Sequence, residues 1–285
     1  MKISQNYQSQ SSDTHPEIDK FLMTSFRRMP SWKKANLVNE ATKGIWQWSL
    51  IGIRNQYPSI SVAETNFKLA QRWLGKEIAK KLYRENHKQI MNAELITLAI
   101  KMGEIFEQIS VPYLIGGSVA SSILGEPRAT LDIDIVADLK LFHIQSLLEL
   151  MTGDFYIDET MMREAIENNS SFNVIHLDSM QKVDIFLLSS QPLAQEEMQR
   201  RQQLLIAESP NKFAWLASAE DIVLQKLIWY RLGGNVSDRQ WRDVLGVLKV
   251  QADKLDLNYL TRWAKTLELE ELMLQALQQA GINYS

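Results

Sequence analysis

Leu114-Ile-Gly-Gly-Ser118, Gly125-Glu-Pro-Arg-Ala-Thr130 and Leu131-Asp-Ile-Asp-Ile-Val136 stand close together in the chain, and their reading decides the fold. In a strand, residues i and i+2 share a face. Asp132 and Asp134 therefore project to one side, while Leu131, Ile133 and Ile135 project into a core. Adjacent carboxylates repel and are tolerated when a cation lies between them. Hard oxygen donors of this kind suit magnesium (Mg2+), which takes one or two protein carboxylates and completes its shell with water and substrate phosphate. A third acid, Asp184, lies in Gln181-Lys-Val-Asp-Ile-Phe-Leu-Leu188, alternating with Val183, Ile185 and Leu187 on what reads as a neighbouring strand. Three acids on adjacent strands suit two metal ions roughly 3.5–4 Å apart, which stabilise the attacking and leaving oxygens of an in-line displacement.

The Gly-Gly-Ser turn supplies the complementary half. Glycine lets backbone approach a phosphate closely. A helix starting at Ser118 offers free N–H groups and the positive end of its dipole, an anion site. The Ser118 hydroxyl can donate to a phosphate oxygen, and Arg128 can reach phosphate or pair with an aspartate. Each feature alone has an ordinary reading: a tight turn, an exposed sheet face, a solubilising acid. Their ordered combination carries the specificity.

Working outward, the chain reads as a disordered tail over 1–23, an N-terminal helical domain over 24–91, a core over 92–215 and a C-terminal helical domain over 216–285. Ser31 opens a helical stretch with Ala35, Val38, Ile45 and Trp48 at helical spacing, broken near Pro58. Ser61-Val-Ala-Glu64 has the capping-box pattern, and Gly75 divides the helical stretch that this pattern opens. Residues 92–109 read as a helix. Strands are expected at Val111–Ile115, Leu131–Ala137, Phe155–Asp158, Ser171–Leu177 and Lys182–Leu188, with a helix over Leu139–Met151. From Ser218 onward the pattern is helical, with Asp243–Val250, Asn258–Leu267 and Glu271–Ala280 carrying apolar spacing. The expected class is α/β (α+β): a mixed sheet with flanking helices, a C-terminal helical bundle and an N-terminal helical segment.

These motifs resemble the DNA polymerase β superfamily of nucleotidyltransferases, and within it the nucleotidyltransferase toxins of abortive-infection and toxin–antitoxin systems. There Gly-Gly-Ser/Thr, a Gly-x-x-Arg-x-Thr lead-in and Asp-Ile-Asp occur together, as Gly116, Gly117 and Ser118, Gly125 to Thr130, and Asp132 to Asp134 do here. The resemblance implies a polymerase β-like core over roughly residues 95–280. It implies that Asp132 and Asp134 bind two magnesium ions, and that Asp184 binds one and helps deprotonate the acceptor. Ser118 and the glycine backbone would hold the NTP triphosphate, with Arg128 and Thr130 beside it. Ala219–Arg231 and Asp238–Leu245 are similar to that family's Asp-Leu-x-x-x-Lys and Arg-x-x-x-Asp helices. By that likeness Lys226 contacts phosphate or base, and Arg242 or Asp243 orders the site; the alternative is a helix-surface ion pair. A cognate antitoxin protein is the partner so implied. The family's cores begin near the chain start, whereas some 90 residues precede this one.

Composition narrows the rest. Cysteine is absent, which excludes disulfides, thiolate metal sites and a cysteine nucleophile and fits a cytoplasmic setting. No apolar run reaches membrane-spanning length, and the polar start is not a secretory signal. His15, His87, His143 and His176 have no metal spacing, and Asp154, Asp158 and Glu159 read as a solvated turn. Net charge is −3, but residues 1–95 hold 15 Lys+Arg against 8 Asp+Glu (+7), leaving 31−15=16 against 34−8=26 (−10). The basic half favours an RNA or tRNA-end acceptor, with a protein or small molecule as alternatives. The competing reading is a non-catalytic nucleotide-binding or antitoxin-type regulator on the same fold.

Overall fold

The structure, a computed structural model, describes residues 7–85 and 94–282. Helices α1 (Pro16–Arg28), α2 (Ser31–Gln56), α3 (Val62–Leu74), α4 (Lys76–Glu85) and α5 (Leu95–Gln108) come first. Next come strand β1 (Tyr113–Ile115), α6 (Gly117–Leu124), β2 (Asp132–Ala137), α7 (Ile144–Met151), β3 (Phe155–Tyr156), α8 (Glu159–Glu167), β4 (Ser171–His176) and β5 (Gln181–Leu187). The chain continues through α9 (Pro192–Arg200), β6 (Gln202–Glu208), β7 (Asn211–Leu216), α10 (Ala219–Leu232), α11 (Asp238–Gln251), α12 (Leu257–Thr266) and α13 (Glu270–Ala280). This is a mixed α/β protein with parallel and antiparallel strands. None of its described helices is long and apolar enough to cross a membrane.

Contacts divide the chain into two compact units, neither of them a single stretch of sequence. One comprises Met1–Asn36, Leu114–Pro127 and Ser190–Ser285; the other comprises Leu37–Tyr113 and Arg128–Ser189.

In the second unit the strands run β3-β4-β5-β2. β2 and β5 are parallel, with Asp132 opposite Lys182 and Asp134 opposite Asp184. β4 is antiparallel to β5, with Asn173 opposite Asp184 and Ile175 opposite Lys182; β3 continues with Tyr156 opposite Ile175. One sheet face buries Ile133, Ile135, Val183 and Ile185 completely. On the other face Ile175 is buried with Trp46, Ile53, Leu69, Ala70, Ala79 and Met180, so α2–α4 cover part of that side. Ser61 and Glu64 form the expected capping box at the start of α3, and Gly75 (φ +84°) ends that helix in the conformation glycine tolerates. The helix expected over Leu139–Met151 begins instead as a 3-10 turn, Leu141–His143. Asp154 and Asp158 have structural partners: Lys101 pairs with the first, and the second caps α8.

In the first unit the order is β1-β7-β6, with β1 parallel to β7 and β6 antiparallel to it. The β6–β7 hairpin is new relative to the sequence reading. Its first strand is half-exposed along most of its length and breaks register between Leu205 and Ala207, so it lacks clean alternation. α6 packs on α10 and α11. A Cβ at Gly125 would stand 2.8 Å from the Val247 amide, so glycine here is required by close packing.

The expected disordered tail needs correction from residue 7 onward; residues 1–6, like His87, lie outside the described residues. α1 starts at Pro16, with the His15 ring accepting from the Glu17 amide, and it buries Asp19 and Met23. Asp19 accepts from the Tyr7 hydroxyl at 2.5 Å and from Lys249 at 2.9 Å; both charged side chains are 2% exposed. A buried partner 230 positions away orders this helix, and no local pattern reports it.

Candidate active site

Four polar side chains share one face of the β2–β5 pair. Asp132 and Asp134 alternate with fully buried isoleucines on β2; Lys182 and Asp184 alternate with Val183 and Ile185 on β5. Parallel register sets them in a two-by-two block, Asp132 opposite Lys182 and Asp134 opposite Asp184. Asp132 is exposed and the other three are half-buried. Alternation places Asp132 and Asp134 on one face of β2, and the β2–β5 register brings Asp184 onto the same face.

Lys182 is the residue that reading missed, although its position two before Asp184 was the available signal. Its ammonium donates to Asp184 at 2.8 Å. Burial pulls the Lys182 pKa down, but the hydrogen bond to Asp184 and the fields of Asp184, Asp132 and Asp134 outweigh it and hold the pKa above the ordinary lysine value. The lysine therefore acts as a built-in counter-ion for the acids. Among the described residues no group of three or more His, Cys, Asp or Glu side chains is gathered to hold a metal ion. The donor chemistry still fits magnesium, because carboxylate oxygens are its preferred ligands and one or two suffice.

Arg128 and Thr130 precede this block. Arg128 donates to the Ala129 carbonyl at 3.0 Å. Thr130 is 3% exposed, and its backbone is clasped by the Thr42 hydroxyl, which donates to the Thr130 carbonyl at 3.1 Å. That burial gives Thr130 a role in anchoring α2 to the strand entrance.

The Gly-Gly-Ser turn lies in the other unit, between β1 and α6. Gly116 is the N-cap of α6. Gly117 has φ +54°, a left-handed conformation that a side chain would strain, so its glycine is a conformational necessity. Ser118 stands in the first turn, half-buried, and its hydroxyl accepts from Arg239 at 3.2 Å. Arg239, exposed on the first turn of α11, is a second residue the sequence reading did not single out. Of the residues it did name there, Lys226 pairs with Asp243 at 2.9 Å, with side chains 7% and 6% exposed. Arg242 grips Glu126 through two nitrogens at 3.0–3.2 Å. The geometry of these three is that of internal ion pairs tying α10, α11 and the loop after α6 together.

No protein-family model matches the chain, and no curated protein matches it. Among solved structures it is similar to an antigenic nucleotidyltransferase-like protein from Paracoccidioides brasiliensis, at 20% identity and a TM-score of 0.43, over 69% of this chain and 97% of that one. It is also similar to a CCA-adding enzyme solved in complex with ATP, at 14% identity and a TM-score of 0.29. That match covers 70% of this chain and about half of the enzyme, 52%.

Proposed function

We propose that the protein is a magnesium-dependent nucleotidyltransferase that moves NMP from an NTP to an acceptor hydroxyl, RNA being the favoured acceptor. The observation that carries this reading is the register of β2 and β5, which places Asp134 opposite Asp184 with Asp132 on the same face. In this reading Asp132, Asp134 and Asp184 hold magnesium, which when bound neutralises charge on the phosphates. Asp184 takes the proton of the acceptor hydroxyl. The acceptor oxygen forms a bond to the α-phosphorus as the bond to the bridging oxygen breaks, and pyrophosphate leaves. By the motif resemblance, Ser118 and the Gly116–Gly117 backbone take the triphosphate, as the free amides at a helix start allow. A toxin-type role with a cognate antitoxin rests on the motif resemblance alone.

Lys182 favours a second reading. An ammonium already seated among the acids is the arrangement expected of a non-catalytic nucleotide-binding protein. One experiment separates the two. The full chain and its Asp132→Ala/Asp134→Ala variant are incubated with each α-labelled NTP, Mg2+ and total RNA. Label entering RNA with the wild type only supports the enzyme and names the nucleotide. NTP-dependent thermal stabilisation without label transfer to any acceptor supports the second reading.

A further inference from the structure

We infer that the pocket between α4 and the β3–β4 edge binds the terminal nucleotide of a single-stranded polynucleotide acceptor; this rests on the transferase reading above. The pocket holds about 630 Å³, within the range of small-molecule sites. Its position is set by the sheet. Asn173, on its wall, is the direct β4 partner of Asp184. Tyr156 and Ile175, also on its wall, continue the cross-strand row that begins with Asp132 and Lys182. The acid face and the pocket are thus successive parts of one sheet surface, joined through the Asn173–Asp184 pair.

The lining matches a nucleotide in both its parts. Ile78 and Ile175 give an apolar floor, and Tyr156 gives an aromatic ring for a base to stack on. Lys80 and Lys81 stand exposed on α4 at the rim, where a phosphate would lie. The Lys81 ammonium lies over the Tyr156 ring, 5.0 Å from its centroid, so a base stacking there would displace it toward the phosphate. Glu77 is the one acid among the lining residues, and it pairs with Lys80 at 3.1 Å; the lining keeps a net positive charge. A lone aromatic small molecule would use the ring and floor but leave the paired lysines unexplained.

The test uses the full chain carrying Asp184→Asn, which blocks transfer, and a fluorescein-labelled 12-mer, one arm RNA and one arm DNA, read by anisotropy against salt. Tyr156→Ala is expected to weaken binding about fivefold or more, while Tyr156→Phe keeps it, because the π face is what stacks. Lys80→Ala/Lys81→Ala is expected to lower the slope of log affinity against log salt by about 0.7, one phosphate's worth on a single strand. Unchanged melting temperatures of the lysine variant separate lost contacts from lost folding. Equal oligonucleotide affinity in wild type and all pocket variants overturns the proposal, as does a Tyr156→Ala defect confined to NTP binding. Transfer activity is not read here, so failure of the enzymatic reading is seen separately in the labelled-NTP experiment.

Discussion

Asp184→Asn tests the acid block most directly, because the structure gives it two opposed consequences. At the ~4.8 Å spacing of adjacent strands, Asp134 and Asp184 repel by roughly 3.5 kcal/mol at an effective dielectric constant near 20. The substitution removes that repulsion. It also removes the Lys182 pair at 2.8 Å, which at side-chain exposures of 32% and 22% is worth about 1 kcal/mol or less once screened. Repulsion between half-exposed acids is screened similarly, so the metal-free variant is expected to melt within a few degrees of the wild type. Metal reverses the balance. At Mg2+ one hundred times its dissociation constant, linkage stabilises the wild type by about 2.7 kcal/mol. At about 2–4 °C per kcal/mol, that is roughly 5–10 °C in a thermal-shift assay with NTP present. A tenfold weaker site at the same concentration gives about 1.4 kcal/mol, so the shift halves. Transfer falls by roughly a hundredfold or more if Asp184 also accepts the acceptor's proton. Full retention of both the metal-dependent shift and transfer in Asp184→Asn would refute the assignment of this block.

Two further outcomes concern stability. Asp19→Ala leaves the Lys249 ammonium, in a site 2% exposed, with the Gln8 carbonyl but without its counter-charge, and breaking such a buried pair is expected to cost about 3–5 kcal/mol, seen as a lower urea midpoint; Asp19→Leu/Lys249→Met should recover much of the loss, and a neutral Asp19→Ala would show that α1 is not held by this pair. Burial, with Asp221 beside it, lifts Glu197 to about 8 from an ordinary 4.5, against a hydrogen bond from Gln225 that lowers it. Between those values the folded chain holds a proton the unfolded chain has released, so this group's contribution to stability falls as pH rises from 4.5 through 8. Glu197→Gln should therefore be near neutral at pH 4.5 and stabilising by roughly 3–5 kcal/mol above pH 8, measured by denaturant titration across that range; a variant whose stability tracks the wild type at every pH would show that Glu197 is ionised in the fold.

The sequence by itself determined the elements whose signals are local. Period-two alternation located β2 and β5 and put Asp132 and Asp134 on one face of β2, with Asp184 opposite the apolar side of β5, because a strand allows no other arrangement. The capping box at Ser61 and the breaks at Gly75 and after Gln56 were legible for the same reason: each depends on residues within one turn. Only tertiary structure decided which strands pair and in what register. The i,i+2 spacing of Lys182 and Asp184 was legible, but nothing local says that Lys182 lies opposite Asp132 and so among all three acids. Local patterns were equally silent on α1, whose buried Asp19 needs a lysine from α11, and on the β6–β7 hairpin, whose half-exposed strand carries little alternation. Lys226, Arg242 and Asp243 show the converse. Their likeness to a family's helices suggested ligands; the fold gives them protein partners, Lys226 with Asp243 and Arg242 with Glu126, that no local pattern reports. Charge type and periodicity are properties of a segment. Partner and burial belong to the fold, because they depend on contacts between residues far apart in the chain.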